Sequence, residues 1–279
     1  MIAADPAATE TSPVRLDRGA LYDFAMRAPI VAYSSAVLMY DVAIFCRQIA
    51  AQPVAFLELD SGLSVAVLAR ASQWVFVALL AILPIFRLRP VRKSEQIWPR
   101  VIALAAVCLM PMFMLLERAP ANLAFNAASA LLGLVANIMA AVTVSFLGRS
   151  LSVMPEARRL VTDGPYALVR HPLYLCELLG VTAAILQYRS SAALALLVVI
   201  VTAQILRSHA EEAVLERAFP HVDLAVYRAR TPFLIPRDPV RFVAVFALGP
   251  QIRRRSAGVV VGTVAAAAAA LTVLPLLVR

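Results

Sequence analysis

Seven long apolar stretches dominate this sequence, at roughly 29–49, 65–86, 101–117, 123–147, 173–188, 192–208 and 257–278. A helix needs about 20 mostly apolar residues to cross the hydrocarbon core of a bilayer. Inside that core only helices and closed barrels satisfy their own backbone hydrogen bonds. The stretches have helical rather than strand length, so the expected fold is all-α: a polytopic transmembrane bundle of about seven spans. Short cytoplasmic helices are expected in the C-terminal part. The 62% hydrophobic content supports a membrane protein, since soluble domains sit nearer half.

Arginine placement sets the topology. Residues 87–100 carry Arg87, Arg89, Arg92, Lys93 and Arg100, and residues 148–172 carry Arg149, Arg158, Arg159 and Arg170. Residues 207–256 hold a further group that ends in Arg253, Arg254 and Arg255, whereas 50–64 has no basic residue. Basic loops stay on the cytoplasmic side, which puts the N-terminus inside and the C-terminus outside. Four regions follow: a cytoplasmic tail at 1–28, N-terminal spans at 29–143, a core at 144–256 with two spans and a cytoplasmic segment, and a last helix at 257–279. Within the core, Glu211 to Phe219 reads as a helix stopped by Pro220, and Thr231 to Pro239 as extended chain. Val240 to Leu248 is apolar but too short to span. The Arg- and Ala-rich usage fits a bacterial genome, hence an inner membrane with its working face in the cytoplasm.

Several function classes drop out. The net charge of +9 does not signal nucleic acid, because the arginines sit in short loops between apolar runs where topology signals belong. Cys46, Cys108 and Cys176 are far apart and suit apolar packing better than disulfides or a metal cluster. The acidic N-terminal segment has no signal-peptide pattern. There is no G-x-G-x-x-G, P-loop or G-x-S-x-G, and His171, His209 and His221 lack metal-ligand spacing. Asp41 and Arg70, both within apolar runs, read as packing or helix-end features.

Two polar clusters remain, both at the cytoplasmic edge. The first runs from Gly164-Pro165-Tyr166 to Arg170-His171-Pro172-Leu173-Tyr174. Pro172 suits the first turn of the fifth span, and His171 and Tyr174 then share a face three residues apart. Taken alone, this could be an interfacial anchor of aromatic and basic residues. In the second cluster Gln204, Arg207 and Glu211 lie at i, i+3 and i+7 on one face of the sixth span. A snorkelling arginine with an i, i+4 partner would account for part of it. Gln204, however, lies within the apolar run, and a polar group at that depth needs a partner or a cavity. The link at 189–191 is short, so the two spans form a hairpin whose inner ends bring His171, Tyr174, Arg207 and Glu211 within reach of one zwitterionic ligand.

The stretch R-L-V-T-D-G-P-Y-A-L-V-R-H-P-L-Y, followed by R-S-H-A-E-E and then F-P-H-V-D-L-A-V-Y-R-A-R-T-P-F-L-I-P, resembles the isoprenylcysteine carboxyl methyltransferase family. That group also includes phospholipid N-methyltransferases and bacterial thiol methyltransferases. The resemblance covers about 144–237. It implies an S-adenosyl-L-methionine-dependent methyltransferase, with a cofactor site formed by Arg158, Arg159, Leu160, Val161, Tyr166, Arg170, His171, Pro172, Leu173, Tyr174, Glu211 and Glu212. Arg207 matches an arginine on the substrate side, and is taken as the catalytic residue. The implied partners are the bilayer and a lipophilic or lipidated acceptor. Cys176, Leu224 and Phe233 depart from the glycine, tyrosine and arginine common in relatives, which weakens any transfer of acceptor identity. A carboxylate acceptor needs no base, whereas an amine or thiol does. Glu156 and Glu177 are the carboxylates at hand, and nothing in the sequence favours either. The rival readings are an NADPH-dependent sterol-reductase-like enzyme and a non-catalytic transporter or assembly factor.

Overall fold

The computed structural model describes residues 18–51, 61–120, 122–220 and 224–248, together with 254, 258, 259, 261–263, 265 and 266. Its long helices are α1 (Arg18–Ala51), α2 (Ser61–Ile82), α3 (Trp98–Leu109), α4 (Leu123–Leu147), α5 (Pro172–Tyr188) and α6 (Ser191–Ala218). Two shorter ones follow, α7 (Leu224–Arg230) and α8 (Pro239–Leu248). The architecture is the all-α membrane bundle that the apolar stretches imply. The one strand pair described is β1 (Arg92–Lys93) antiparallel to β2 (Glu156–Ala157).

Among the described residues, four segments are long and apolar enough to cross a membrane: Tyr22–Gln48, Val65–Phe86, Leu123–Ser150 and Ser191–Ala218. Two expected spans are shorter as α-helices. The 101–117 stretch stops being α-helical at Leu109 and continues as a 3₁₀ turn, Met110–Leu115. Pro111 explains the switch, since it has no N–H to donate to the carbonyl four residues back. Helix α5 has 17 residues, about 25 Å at 1.5 Å per residue. The stretch at 257–278 lies largely outside the described residues.

Helix α1 starts well before its apolar run. Asp23 lies inside it and is neutralised by Arg27 one turn on and by Arg87, whose guanidinium nitrogen is 2.8 Å from the Asp23 carboxylate. Helix α6 differs from the sequence reading too: it runs unbroken to Ala218, rather than giving way to a separate helix at Glu211. It contains no Gly or Pro to interrupt it, and it ends where Pro220 disfavours helical backbone at the residue before it. At 231–238 the chain is non-helical, as expected, and the 240–248 run is helical.

Helix α4 is central, packed between α2 and α5, with α1 on α2 and α3 on α6. Its small residues let its neighbours approach closely: a side chain built at Gly133 would sit in van der Waals contact with Ala183 of α5. Ser129 of α4 donates to the Ala183 carbonyl at 2.8 Å and accepts from Gln187 at 2.8 Å, a polar tie between the helices. Asn122 caps α4 by accepting from Phe125 N, and Ser190 caps α6 by accepting from Ala193 N at 3.1 Å. The α5–α6 connection turns at Arg189, the one non-glycine residue with positive φ (43°) among the described residues. Helix α8 folds back on this scaffold, burying Phe242 against Met139, Val144, Val169 and Leu173.

Of the three cysteines, only Cys176 is buried; Cys46 is intermediate and Cys108 exposed. Uniform burial was the expectation, but in a membrane bundle an apolar thiol can face outward without penalty. Asp41 accepts from Trp74 Nε1 at 2.7 Å and lies 3.4 Å from Arg70, which is the packing role expected of that pair.

Candidate functional site

The join at Arg189–Ser190 holds α5 and α6 together at one end and leaves their other ends, the start of α5 and the end of α6, side by side. Tyr174, in the first turn of α5, donates a short hydrogen bond to Glu211 of α6. Arg207, one turn before Glu211, has its Nε 3.5 Å from the same Glu211 oxygen and its guanidinium carbon 4.8 Å from the Tyr174 ring centroid. The cation lies over the aromatic face, so the three residues form one rung. Arg207 also donates to the Val153 carbonyl at 3.2 Å.

A second rung lies beside it. Glu212 Oε1 accepts from Arg170 at 2.7 Å and lies 3.0 Å from His171 Nε2, while Arg228 of α7 is 3.5 Å from its other oxygen. The His171 ring stacks on Tyr174 with centroids 5.6 Å apart and planes 13° apart. The 231–238 segment fixes this turn from behind: Arg170 N donates to Pro232 O at 2.9 Å and His171 N to Phe233 O at 3.2 Å. The Phe233 ring lies between His171 and His209, at 5.0 and 4.7 Å. His209 thus packs away from the rungs.

Both rungs face a cavity of about 130 Å³. Its wall includes Arg158, Arg159, Leu160 and Val161 from the loop before the turn, and Tyr166 from the turn itself. Arg170, His171, Leu173, Tyr174, Arg207, Glu211 and Glu212 complete the expected set. Pro172 is buried but off the wall, and acts by starting α5. The turn depends on Gly164, whose φ is +61° and where any Cβ would collide with the Phe146 ring. Sequence reasoning missed Ser150, Ser152, Leu215, Tyr227 and Arg228, which also line the cavity. Tyr227 and Arg228 lie inside the F-P-H-V-D-L-A-V-Y-R stretch, which signalled this region without singling them out. Tyr227 donates to the Tyr166 carbonyl at 2.7 Å, joining α7 to the turn.

Electrostatics around the cavity follow from burial. Burial pushes the Tyr166 phenol well above its ordinary value, with nearby Glu211 adding to the effect. Burial likewise moves the Tyr227 phenol up to about 12, with Arg170 opposing and Glu212 assisting. Both are protonated donors at neutral pH. Arg158 is 0% exposed at its side chain and pairs with Glu156 at 2.5 Å. It also reaches Asp23 at 3.8 Å and donates to the Leu88 carbonyl. Burial lowers its proton affinity, and the neighbouring Arg87 acts the same way, while Glu156 and Asp23 counter both. One ionic cluster thus ties α1 to the cavity wall.

The wall retains unspent hydrogen-bonding capacity. On this wall, Glu156 Oε1 and the Nε atoms of Arg158, Arg170 and Arg207 are buried with no hydrogen bond among the described residues. Buried polar atoms are nearly always satisfied, and four on one cavity wall suit a polar ligand with both anionic and cationic groups. The described residues contain no group of three or more His, Cys, Asp or Glu placed to hold a metal ion.

Residues 122–221 match the phospholipid methyltransferase family. The matched segment holds α4, α5 and α6 and with them the whole of both rungs except Arg228. Among curated relatives, the chain is 42% identical over 81 residues to the cobalt-zinc-cadmium resistance protein CzcN of Cupriavidus metallidurans, covering 28% of this chain and 36% of that protein. It is 35% identical over 106 residues to the nickel-cobalt-cadmium resistance protein NccN of Alcaligenes xylosoxydans xylosoxydans, covering 36% and 48%. The chain thus spans between a third and a half of the length of these relatives. No solved structure matches it.

Proposed function

We propose that this integral membrane protein, whose central segment is of the phospholipid methyltransferase type, transfers a methyl group from S-adenosyl-L-methionine to a lipophilic acceptor at the cytoplasmic face. The observation that carries the reading is the pair of rungs on one cavity: Tyr174–Glu211–Arg207 beside Arg170–His171–Glu212.

The donor set fits the cofactor. It carries an ammonium, a carboxylate, ribose hydroxyls and an adenine, and it supplies an electrophilic methyl on a sulfonium. Glu211 and Glu212 are acceptors for the ammonium and the hydroxyls, and the arginines on the wall are donors for the carboxylate. Tyr166, Leu160 and Val161 offer an aromatic and apolar surface to a planar base. His171, stacked on Tyr174 and bonded to Glu212, keeps the start of α5 in register with the two carboxylates of α6. Arg207, pinned by Glu211, Tyr174 and the Val153 carbonyl, presents a fixed charge toward the bilayer side, where it orients the acceptor. Methyl transfer is an in-line displacement in which such positioning supplies much of the rate. The acceptor is an isoprenylcysteine-type carboxylate, a phospholipid amine or a thiol.

The test is calorimetric binding of S-adenosyl-L-methionine to the purified protein, with Glu211→Ala and His171→Ala alongside. Binding by the wild type and its loss in both variants is the expected result. Unchanged binding in both variants would refute the site.

A further inference from the structure

A third polar rung lies deeper. Three residues into α5 from Tyr174 is Glu177, and three residues before Arg207 in α6 is Gln204. Residues three apart share a helix face, and three residues advance about 4.5 Å along the axis. The Gln204 amide donates to Glu177 Oε2 at 2.6 Å. This pair therefore sits about one turn below the Tyr174–Glu211–Arg207 rung on the same seam between α5 and α6, deeper along both apolar helices and just beyond the residues that line the cavity.

Two features show that the pair is not merely packing. Gln204 is 1% exposed, and its Oε1 has no hydrogen bond among the described residues. Glu177 is only partly buried, and the Gln204 bond engages just one of its two carboxylate oxygens. A polar group within a span normally finds a partner or lines a cavity. Here the amide spends one N–H on holding a carboxylate, and its own oxygen and the second carboxylate oxygen are left as acceptors. The groups around Glu177 are Tyr174 and Cys176 on its own helix, Arg207 and Glu211 on α6, and Tyr166 on the turn.

We propose that Glu177, positioned by Gln204, is the proton acceptor of the methyl-acceptor subsite, and that the acceptor's nucleophile carries a proton, as an amine or thiol does. This rests on the methyltransferase reading above. The acceptor's X–H proton passes to a Glu177 oxygen, and its lone pair forms the X–C bond. The C–S bond of the sulfonium donor breaks with its electron pair left on sulfur. One negative charge on Glu177 and one positive charge on sulfur disappear together, so charge balances. A carboxylate nucleophile has no proton to lose, and Glu177 would repel it.

The test uses the full chain in lipid nanodiscs with methyl-labelled S-adenosyl-L-methionine and three probes of equal chain length: dodecylamine, dodecanethiol and dodecanoate. The wild type is expected to methylate the amine or the thiol and not dodecanoate. Glu177→Gln should lower that transfer by about 100-fold or more, the scale of a lost general base, and Glu177→Asp should recover part of it. With dodecylamine the Glu177→Gln deficit should narrow as pH rises and the amine arrives already deprotonated. Gln204→Ala, which frees the carboxylate, should lower kcat with little change in cofactor affinity. Dodecylamine binding without any methyl donor should weaken in Glu177→Gln. Cofactor binding in every variant should equal that of the wild type, which also shows that each is folded. Methylation of dodecanoate, methylation of none of the probes, or unchanged transfer in Glu177→Gln overturns the proposal. Failure of the wild type to bind the cofactor is the separate failure of the methyltransferase reading.

Discussion

Tyr174 and Glu211 meet across the seam between α5 and α6, the phenol donating to the carboxylate while Arg207 approaches that same oxygen from 3.5 Å. Thirty-seven positions apart in sequence, they are neighbours because the two helices are joined by a turn at Arg189. A carboxylate held this way is oriented before any ligand arrives, and orientation already in place lowers the cost of binding.

Replacing Glu211 by Gln keeps the shape and removes the charge. A hydrogen bond to a charged group is worth about 1.5–3 kcal/mol, so S-adenosyl-L-methionine affinity should fall by about 10–100-fold. Tyr174→Phe removes only the orienting donor and should cost less. Calorimetry on the two variants and the double variant checks this, with the double expected to fall short of the sum because the residues share one bond.

Gly164 is a second point of leverage. Alanine there meets two penalties, a left-handed backbone and a collision with Phe146, together about 2–4 kcal/mol. Thermal unfolding in detergent should register the loss. Phe146→Leu combined with Gly164→Ala should recover only the part due to the collision, since the backbone penalty stays.

Asp23 stabilises the wall from a distance. It is 5% exposed and neutralises both Arg87 and Arg27, with Arg158 3.8 Å away. Breaking a buried pair by removing one partner costs about 3–5 kcal/mol, because the other charge is left buried and unpaired. Asp23→Asn should therefore lower the unfolding midpoint strongly, and Arg87→Gln in the same chain should restore part of the loss.

Alkaline pH should weaken the fold through Tyr227. Its phenol is raised from 10.0 to about 12 by burial, so the folded protein holds that proton more tightly than the unfolded chain does. The resulting stability is complete below about pH 10 and is lost as pH rises through about 12. Tyr227→Phe should flatten the dependence of unfolding free energy on pH across that interval, leaving the contribution of Tyr166.

Much of this arrangement is legible in the residues. The i, i+3, i+7 spacing of Gln204, Arg207 and Glu211 fixes a shared helix face, and the short link before Ser191 dictates the hairpin that brings Tyr174 to that face. What spacing does not carry is contact between distant segments. Nothing in the neighbourhood of Asp23 marks it as the counter-ion of Arg87 and Arg158, since ion pairs between separate elements follow no period. Phe233 likewise reads as a departure from an arginine in relatives, yet its ring packs between two histidines while its carbonyl accepts from the His171 N–H. Span lengths were the other gap: hydropathy registers Pro111 as one apolar residue among many, whereas the backbone registers a missing donor. The run of α6 past Ser208 is hidden for a similar reason: charge there reads as the end of a span, yet a helix can leave the bilayer without stopping.

The left-handed turn at Arg189 makes the α5–α6 hairpin resemble a pair of tweezers with its hinge at the opposite membrane face. The two gripping tips cannot drift apart independently, and their separation can change only by flexing the arms or by opening a hinge whose backbone is already in an uncommon conformation. Widening the mouth for a guest therefore falls chiefly to the parts clasped over it, namely the 231–238 segment and the two short helices that flank it.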